Sequence, residues 1–363
     1  MAQTGDRGAG GKCYAYGATM SDTIRVLVVG LGRAGMVHAR NHAGTIPGSR
    51  LAAVADPDPA ARERAATELG CEQVYDDPVR AAAEADVDAV VIASPTFTHA
   101  DVAVAALDAG RHVLCEKPLA SSGDEAAKIA RAARASDCHF LMGFMRRFDA
   151  GFCRAAERIE AGDIGTPLLV RSTGRGPGLP PEWAQDPARS LGLFAEVNSH
   201  DFDTVRWLSG QEFASVWAVG RAAKRPDLTE RHPGFLDVAM ASFELDGGAL
   251  AQIDGACPAD YGYDARAEVY GSEGAILVGD PAARGPLLLS GRGTVETDAV
   301  RSWRELFAVA YRAEDAHFVA VARGEEEPRT TLGDGLRALQ AVLATNRSMD
   351  ERRQVSCDEL PVA

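Results

Sequence analysis

An apolar, β-branched run, Val26-Leu27-Val28-Val29, leads straight into Gly30, Gly32 and Gly35, spaced G-x-G-x-x-G. Helical text begins at once with Met36, Val37, His38 and Ala39. Each glycine has a physical task in such a stretch. Gly30 allows a tight turn off a strand, Gly32 lets a pyrophosphate approach bare backbone, and Gly35 lets the new helix pack on the strand it came from. The helix start then offers free N–H groups and a positive dipole end to an anion. Glycine turns are common, so the pattern needs its context, and the context is present. A second apolar run, Leu51–Ala55, ends in Asp56, about 20 residues past the last glycine, where a carboxylate meets the ribose hydroxyls of a dinucleotide. No arginine is expected beside Pro57-Asp58-Pro59 to receive a 2′-phosphate, so NAD is the expected cofactor.

From Asp22 to Phe144 the same alternation continues. Strand candidates are Ile24–Val29, Leu51–Ala55, Ala89–Ala93, His112–Cys115 and Phe140–Phe144, with amphipathic text between them. This predicts a parallel sheet with helices on both faces, which binds ligands beyond the carboxyl ends of its strands. Two loops leave strands at that edge: Ser94-Pro95-Thr96-Phe97-Thr98-His99 and Glu116-Lys117-Pro118. After Arg147 the texture changes to a helix, a Gly/Pro-rich loop over 174–187, a helix over 196–208 and a series of strands with hairpin signals. That succession predicts an α+β unit with a mostly antiparallel sheet. The closing helices are expected over 303–323 and 333–347.

Composition narrows the function classes. In 363 residues, Lys and Arg number 38 and Asp and Glu 52, a formal charge of −14. An acidic chain without a basic cluster is a poor partner for nucleic acid or anionic membrane. No apolar run approaches the ~18 residues that span a bilayer. The seven cysteines are scattered, odd in number and never spaced C-x-x-C, which suits a reducing, cytoplasmic compartment better than disulfides or zinc. Residues 1–21 read as a disordered leader, 22–144 as the dinucleotide domain, 145–350 as a substrate-binding and oligomerisation domain, and 351–363 as a tail.

Three constellations offer chemistry. Lys117, at the dinucleotide edge, is either a donor to a substrate oxygen or an ordinary solvated lysine. Glu196, His200 and Asp203 fall at helical spacing on one face, which suits either general acid–base work or a charge-paired surface histidine. Tyr261 and Tyr263 either line a sugar pocket or are plain strand residues.

The stretches VVGLGRAG, ASPTFTHADVAVAALDAGRHVLCEKPLA, GFMRRFD and EVNSHDFDTVRWLSG resemble the glucose–fructose oxidoreductase / inositol dehydrogenase / MocA family of nicotinamide-dependent sugar and polyol dehydrogenases. The likeness runs from Ile24 to Leu343, and GFMRRFD with YGYDARAEVYGSEG is most similar to the myo-inositol branch. The resemblance implies a Rossmann domain followed by an α+β domain with an open sheet face that associates into tetramers or dimers. It implies Lys117 as active-site lysine, His200 as catalytic histidine and Glu196 in the place of the usual aspartate. Asp203 then supports His200. Cofactor contacts fall to Gly30, Gly32, Arg33, Ala34, Gly35, Asp56, Ser94, Pro95, Thr96, His99, Glu116, Lys117 and Arg146. Substrate contacts fall to Lys117, Arg146, Arg175, Glu196, Asn198, His200 and Tyr263. No metal is expected. The implied reaction is oxidation of a secondary hydroxyl of an inositol. Alternatives are a pyranose, glycoside or anhydro-sugar dehydrogenase, an NAD-dependent glycoside-cleaving relative, and a non-catalytic dinucleotide sensor.

Overall fold

A computed structural model describes residues 23–279, 287–289, 295–297 and 299–362. The expected leader, residues 1–21, lies outside the described residues.

The N-terminal half alternates strand and helix. Its elements are β1 (Ile24–Val29), α1 (Gly35–Gly44), β2 (Ser49–Ala55), α2 (Pro59–Leu69), β3 (Gln73–Tyr75), α3 (Pro78–Glu84), β4 (Ala89–Ile92), α4 (His99–Asp108), β5 (His112–Glu116), α5 (Gly123–Ala135) and β6 (Phe140–Gly143). The sheet order is β3-β2-β1-β4-β5-β6, and every neighbouring pair is parallel. Val26 to Val29 and Ala89 to Ile92 are fully buried, as a sheet covered on both faces requires. The order reverses between β1 and β4, and the glycine turn and the loop after β4 flank that point. Such a switch point is where the fold opens a crevice. Strand β3 was not expected: three largely exposed residues at the sheet edge carry no apolar run to read.

The C-terminal half begins with α6 (Ala150–Glu160) and β7 (Pro167–Arg175). Three short helices follow, α7 (Glu182–Gln185), α8 (Pro187–Ser190) and α9 (Gly192–Glu196), so the expected Gly/Pro loop is partly helical. Next come α10 (Ser199–Ser209), β8 (Phe213–Arg221), α11 (Leu228–Arg231), β9 (Val238–Leu245), β10 (Leu250–Ala256), β11 (Asp264–Gly271) and β12 (Ala275–Val278). A small hairpin, β13 (Leu287–Leu289) and β14 (Val295–Thr297), precedes α12 (Trp303–Leu306), α13 (Ala308–Ala322), α14 (Leu332–Glu351) and β15 (Val355–Ser356). The large sheet has the order β12-β11-β7-β10-β9-β8-β15, antiparallel except where β10 meets β7. Its inner face packs Val170, Ala241, Phe243 and Ile253 against α10 and α14.

Two expectations change here. The segment 351–363 is no tail, because Val355 and Ser356 pair with β8 and extend the sheet. The first closing helix, expected only as a helix over 303–323, joins the N-terminal core. Phe318, Val319, Val321 and Ala322 of α13 join Val26, Val28 and Val91 in one buried cluster, so α13 covers a face of the N-terminal sheet. Among the described residues, no helix is long and apolar enough to cross a membrane.

Candidate active site

The glycine turn has the shape that its sequence predicts. Gly30 stands at φ +86°, and a Cβ there would lie 2.5 Å from the backbone nitrogen of Ser94. A Cβ on Gly35 would lie 1.7 Å from the carbonyl oxygen of Gly30. A Cβ on Gly32 would meet nothing within 4 Å, so bare backbone faces open space there. Helix α1 begins beyond it with neither a side-chain cap nor an acidic residue in its first turn. Uncapped N–H groups, no competing carboxylate and a glycine cradle fit the pyrophosphate of a dinucleotide. Asp56 is held at the same turn, accepting from the N–H of Leu31 at 2.7 Å and of Asp58 at 2.8 Å.

The expectation of no nearby arginine is corrected. Arg62 donates to the carbonyl oxygens of Asp56 and Pro57, at 2.7 and 2.9 Å, and Arg64 donates to that of Leu31 at 2.6 Å. Helix α2 folds back over the turn, and both guanidiniums are engaged with main-chain carbonyls. The carboxylate of Asp56 is therefore left to the turn, where the N–H groups of Leu31 and Asp58 hold it.

The loops after β4 and β5 are stitched together by His99. Its Nε2 lies 2.9 Å from the carbonyl oxygen of Ser94 and its Nδ1 2.9 Å from that of Pro118. The ring is buried, so it positions both loops rather than presenting itself to a cofactor. The Ser94 and Thr98 hydroxyls hydrogen-bond at 2.7 Å, and Thr98 donates to the carbonyl oxygen of Pro95. Thr96 reaches across the cleft and donates to the Glu196 carboxylate at 3.1 Å.

Lys117 is held at both ends. Its N–H donates to the Glu116 carboxylate at 3.1 Å, and its Nζ donates to the main-chain carbonyl of Glu196 at 2.7 Å. His200, 4 % exposed, approaches the edge of Phe144 and has no hydrogen-bond partner on Nδ1. Burial, then the Lys117 and Arg146 cations, holds its imidazole well below the ordinary 6.5. The ring is therefore neutral at neutral pH, with a lone pair to receive a proton. Burial pushes the Glu196 carboxyl up, and Lys117 and the Thr96 hydroxyl pull it partly back.

The single-helix reading of Glu196, His200 and Asp203 is corrected. Glu196 ends α9 and His200 lies in the first turn of α10, with Val197 and Asn198 between the helices. Asn198 makes the break: its Nδ2 donates to Asp201 at 2.8 Å and to the carbonyl oxygen of Asp254 at 3.1 Å. It is a buried peg between α10 and the sheet, and its Oδ1 has no hydrogen-bond partner among the described residues. Asp203 does not support His200. It receives both Nε and Nη2 of Arg147, at 2.9 and 2.6 Å.

Two other implied contacts move. Arg146 is 1 % exposed and donates to Asp201 at 2.7 Å, beside Ser172 and Thr204. A buried guanidinium needs a buried anion, and Asp201 claims it. Arg175 lies on the outer sheet face, donating to Asp254 at 2.8 Å and to the hydroxyl of Tyr261 at 3.4 Å, so it is turned away from the cleft. Tyr263 is packed edge-on against Phe307, and burial pushes its hydroxyl up to about 12. Asp201, which holds Arg146, Ser172 and Asn198 together, was missed, because no spacing pattern marks it. The structure thus brings together Lys117, Glu196, Thr96 and His200 beside the glycine turn and Asp56. It leaves Arg146, Arg175, Asn198 and Asp203 in structural pairs.

A dinucleotide cradle facing a lysine and a neutral histidine defines a nicotinamide-dependent oxidoreductase. Residues 24–144 match the NAD-binding Rossmann fold of the GFO_IDH_MocA oxidoreductase family, and residues 152–277 match the C-terminal domain of that family. The chain belongs to the GFO/IDH/MocA family. It is 34% identical over 339 residues to scyllo-inositol 2-dehydrogenase (NAD(+)) of Bacillus subtilis, covering 93% of this chain and 98% of that one. It is 32% identical to myo-inositol 2-dehydrogenase of Thermotoga maritima, covering 93% of this chain and 99% of that one. A solved scyllo-inositol dehydrogenase of Lactobacillus casei, with bound NAD(H) and scyllo-inositol, superposes with a TM-score of 0.84 at 31% identity, covering 93% of this chain and 99% of that one.

Proposed function

We propose that this protein is an NAD-dependent dehydrogenase that reversibly oxidises a secondary hydroxyl of a cyclic polyol, an inositol, to the ketone. The observation that carries the proposal is a buried, neutral His200 within electrostatic reach of Lys117, whose ammonium is held by the Glu196 carbonyl. Bound NAD would supply the hydride acceptor. Gly30, Gly32, Gly35, the start of α1 and Asp56 would hold it. The chain's own residues do the rest. His200 takes the hydroxyl proton on an imidazole nitrogen, which an alcohol does not surrender unaided near neutral pH. Lys117 holds the reacting oxygen and stabilises negative charge as it builds there. Glu196, through its main-chain carbonyl, aims the ammonium of Lys117.

In this reading residues 22–144 carry the cofactor and residues 145–350 the substrate contacts. The protein works in the cytoplasm as a homo-oligomer. Support for association is the outer sheet face, where Trp217, Val219, Met240, Leu250, Tyr270 and Leu277 are all exposed. The test is NADH formation across inositol isomers, aldoses, glycosides and anhydro-sugars, with light scattering for the assembly. Turnover confined to glycosides, or none with any polyol, would overturn the substrate assignment.

A further inference from the structure

Behind Lys117 lies a buried group of charges that the proposed chemistry does not use. Glu116, at the end of β5, accepts the N–H of Lys117 on Oε2, and its Oε1 receives Nε2 of His38 at 3.2 Å. The other ring nitrogen of His38 donates to Oδ1 of Asp315 at 2.6 Å, and Asn41 donates to Oδ2 of the same carboxylate at 2.8 Å. The His38 and Asp315 side chains are 0% exposed and that of Glu116 is 7% exposed. Room for Glu116 comes from Gly143, where a Cβ would lie 3.0 Å from the Cα of Glu116. Tyr311 stands edge-on to the His38 ring.

These residues come from three places in the fold. His38 lies on α1, one turn beyond the uncapped start that faces the glycine cradle. Glu116 is the residue before Lys117. Asp315 lies on α13, which returns from the C-terminal half to cover the sheet. Asp315, His38 and Glu116 therefore form a continuous chain from α13, through the cofactor helix, to the backbone of the active-site lysine.

We infer that His38 is a positioning residue for the oxidoreductase reaction: by bridging Asp315 and Glu116 it ties helix α1 to the backbone of Lys117 and sets where the lysine's ammonium points. This rests on the role assigned to Lys117 above. The charges are consistent with it. Two flanking carboxylates hold His38 well above its ordinary value despite its burial, so it is an imidazolium that donates from both nitrogens. Glu314 is 1 % exposed, and neither of its oxygens has a hydrogen-bond partner. Burial and the neighbouring Glu116 push its carboxyl well above the ordinary range, so it carries a proton and adds no second bare charge. Ligand atoms of His38, Glu116 and Glu314 all lie within 4.8 Å of one another, a spacing that a metal ion could also exploit. The bridging imidazolium already supplies the cation that the site needs, and the experiment separates the two cases.

The test uses His38→Gln in the full chain, with a readout that needs no turnover. The chain has four lysines, so labelling of Lys117 by an amine reagent can be followed by mass spectrometry against Lys128 and Lys224 in the same molecule. Labelling of Lys117 relative to those two should rise severalfold in the variant as the ammonium leaves the Glu196 carbonyl. With polyol and NAD, kcat should fall by about 10–100-fold, the loss expected for a slightly misplaced group, while KM and NAD affinity stay near wild type. In a Lys117→Met background the same substitution should cost less than about twofold, because both changes act through one group. Should His38→Gln fail to fold, Asp315→Asn, which keeps the shape and removes one charge, carries the same measurements.

Unchanged Lys117 labelling, equal losses of kcat in both backgrounds, or one tightly bound metal per chain that Glu314→Gln releases would each overturn the inference. A wild-type protein inactive on every polyol would sink the substrate reading and leave the labelling result to decide this one.

Discussion

Replacing His200 by alanine tests the proposed chemistry most directly. The ring is buried, lies near Lys117 and Phe144 and is neutral at neutral pH. A positioned base contributes ~10²–10⁴-fold, or ~2.7–5.4 kcal/mol at ~1.36 kcal/mol per decade. The turnover loss should fall in that range, with NAD affinity unchanged because the cradle is built by other elements. Folding should suffer less than the emptied volume suggests. Truncating a buried ring costs about 3–5 kcal/mol, but the same change removes an Nδ1 that has no partner, which offsets part of it. Melting temperature then separates an unfolded variant from an inactive one. The pH dependence has a fixed sign. The base is the neutral ring, and its pKa in the fold lies below 6.5, so oxidation should hold steady down to pH 6.5 and fall only on the acid side of it. That limb should vanish in His200→Ala. A limb that persists belongs to Glu196, whose carboxyl burial pushes upward. Near-normal kcat in folded His200→Ala would refute the assignment of the base.

Four other outcomes are expected. Lys117→Met should lower kcat at least as much as His200→Ala while leaving the melting temperature close to wild type; steady-state rates at full NAD saturation check this. Glu196→Gln should lower turnover at constant NAD affinity, and Glu196→Asp should raise kcat/KM for myo-inositol relative to other polyols, with indifference of both variants placing the carboxyl outside the chemistry. Wild-type protein should favour NAD over NADP by roughly 5- to 1,000-fold, from ~1–4 kcal/mol of repulsion between Asp56 and a 2′-phosphate about 4 Å away, and Asp56→Ser should narrow the gap. Gly255→Ala would set a Cβ 2.0 Å from Oδ1 of the buried Asn198, so thermal and urea unfolding should show about 1–3 kcal/mol of lost stability.

The N-terminal domain was legible because its signals are local. Gly30 needs a left-handed turn, Gly35 must pass within contact of Gly30, and runs such as Val26–Val29 are apolar on both faces. Where the reading failed, the deciding partner was far away in the chain. Arg146 reads as a free cation until Asp201 folds against it, and Arg175 reads as a cleft residue until the register of β7 and β10 turns it to the outer face beside Asp254. Asp203 reads as a neighbour of His200 on spacing alone, but Arg147 reaches it from the segment after β6.

The break between α9 and α10 shows how such a failure bears on function. Neither glycine nor proline marks Val197 and Asn198, so the text reads as one helix. In an unbroken helix the carbonyl of Glu196 would be taken by the N–H of His200, four residues on. Because Asn198 is drawn to the main chain of β10, α9 stops at Glu196 and that carbonyl is left to receive the ammonium of Lys117. A cation at the C-terminal end of a helix also sits where the backbone dipoles favour it. Glu196 and His200 thus do not meet by sharing one helix face. Their proximity comes from two helices meeting at a side-chain peg, and the interruption itself supplies the group that aims the lysine.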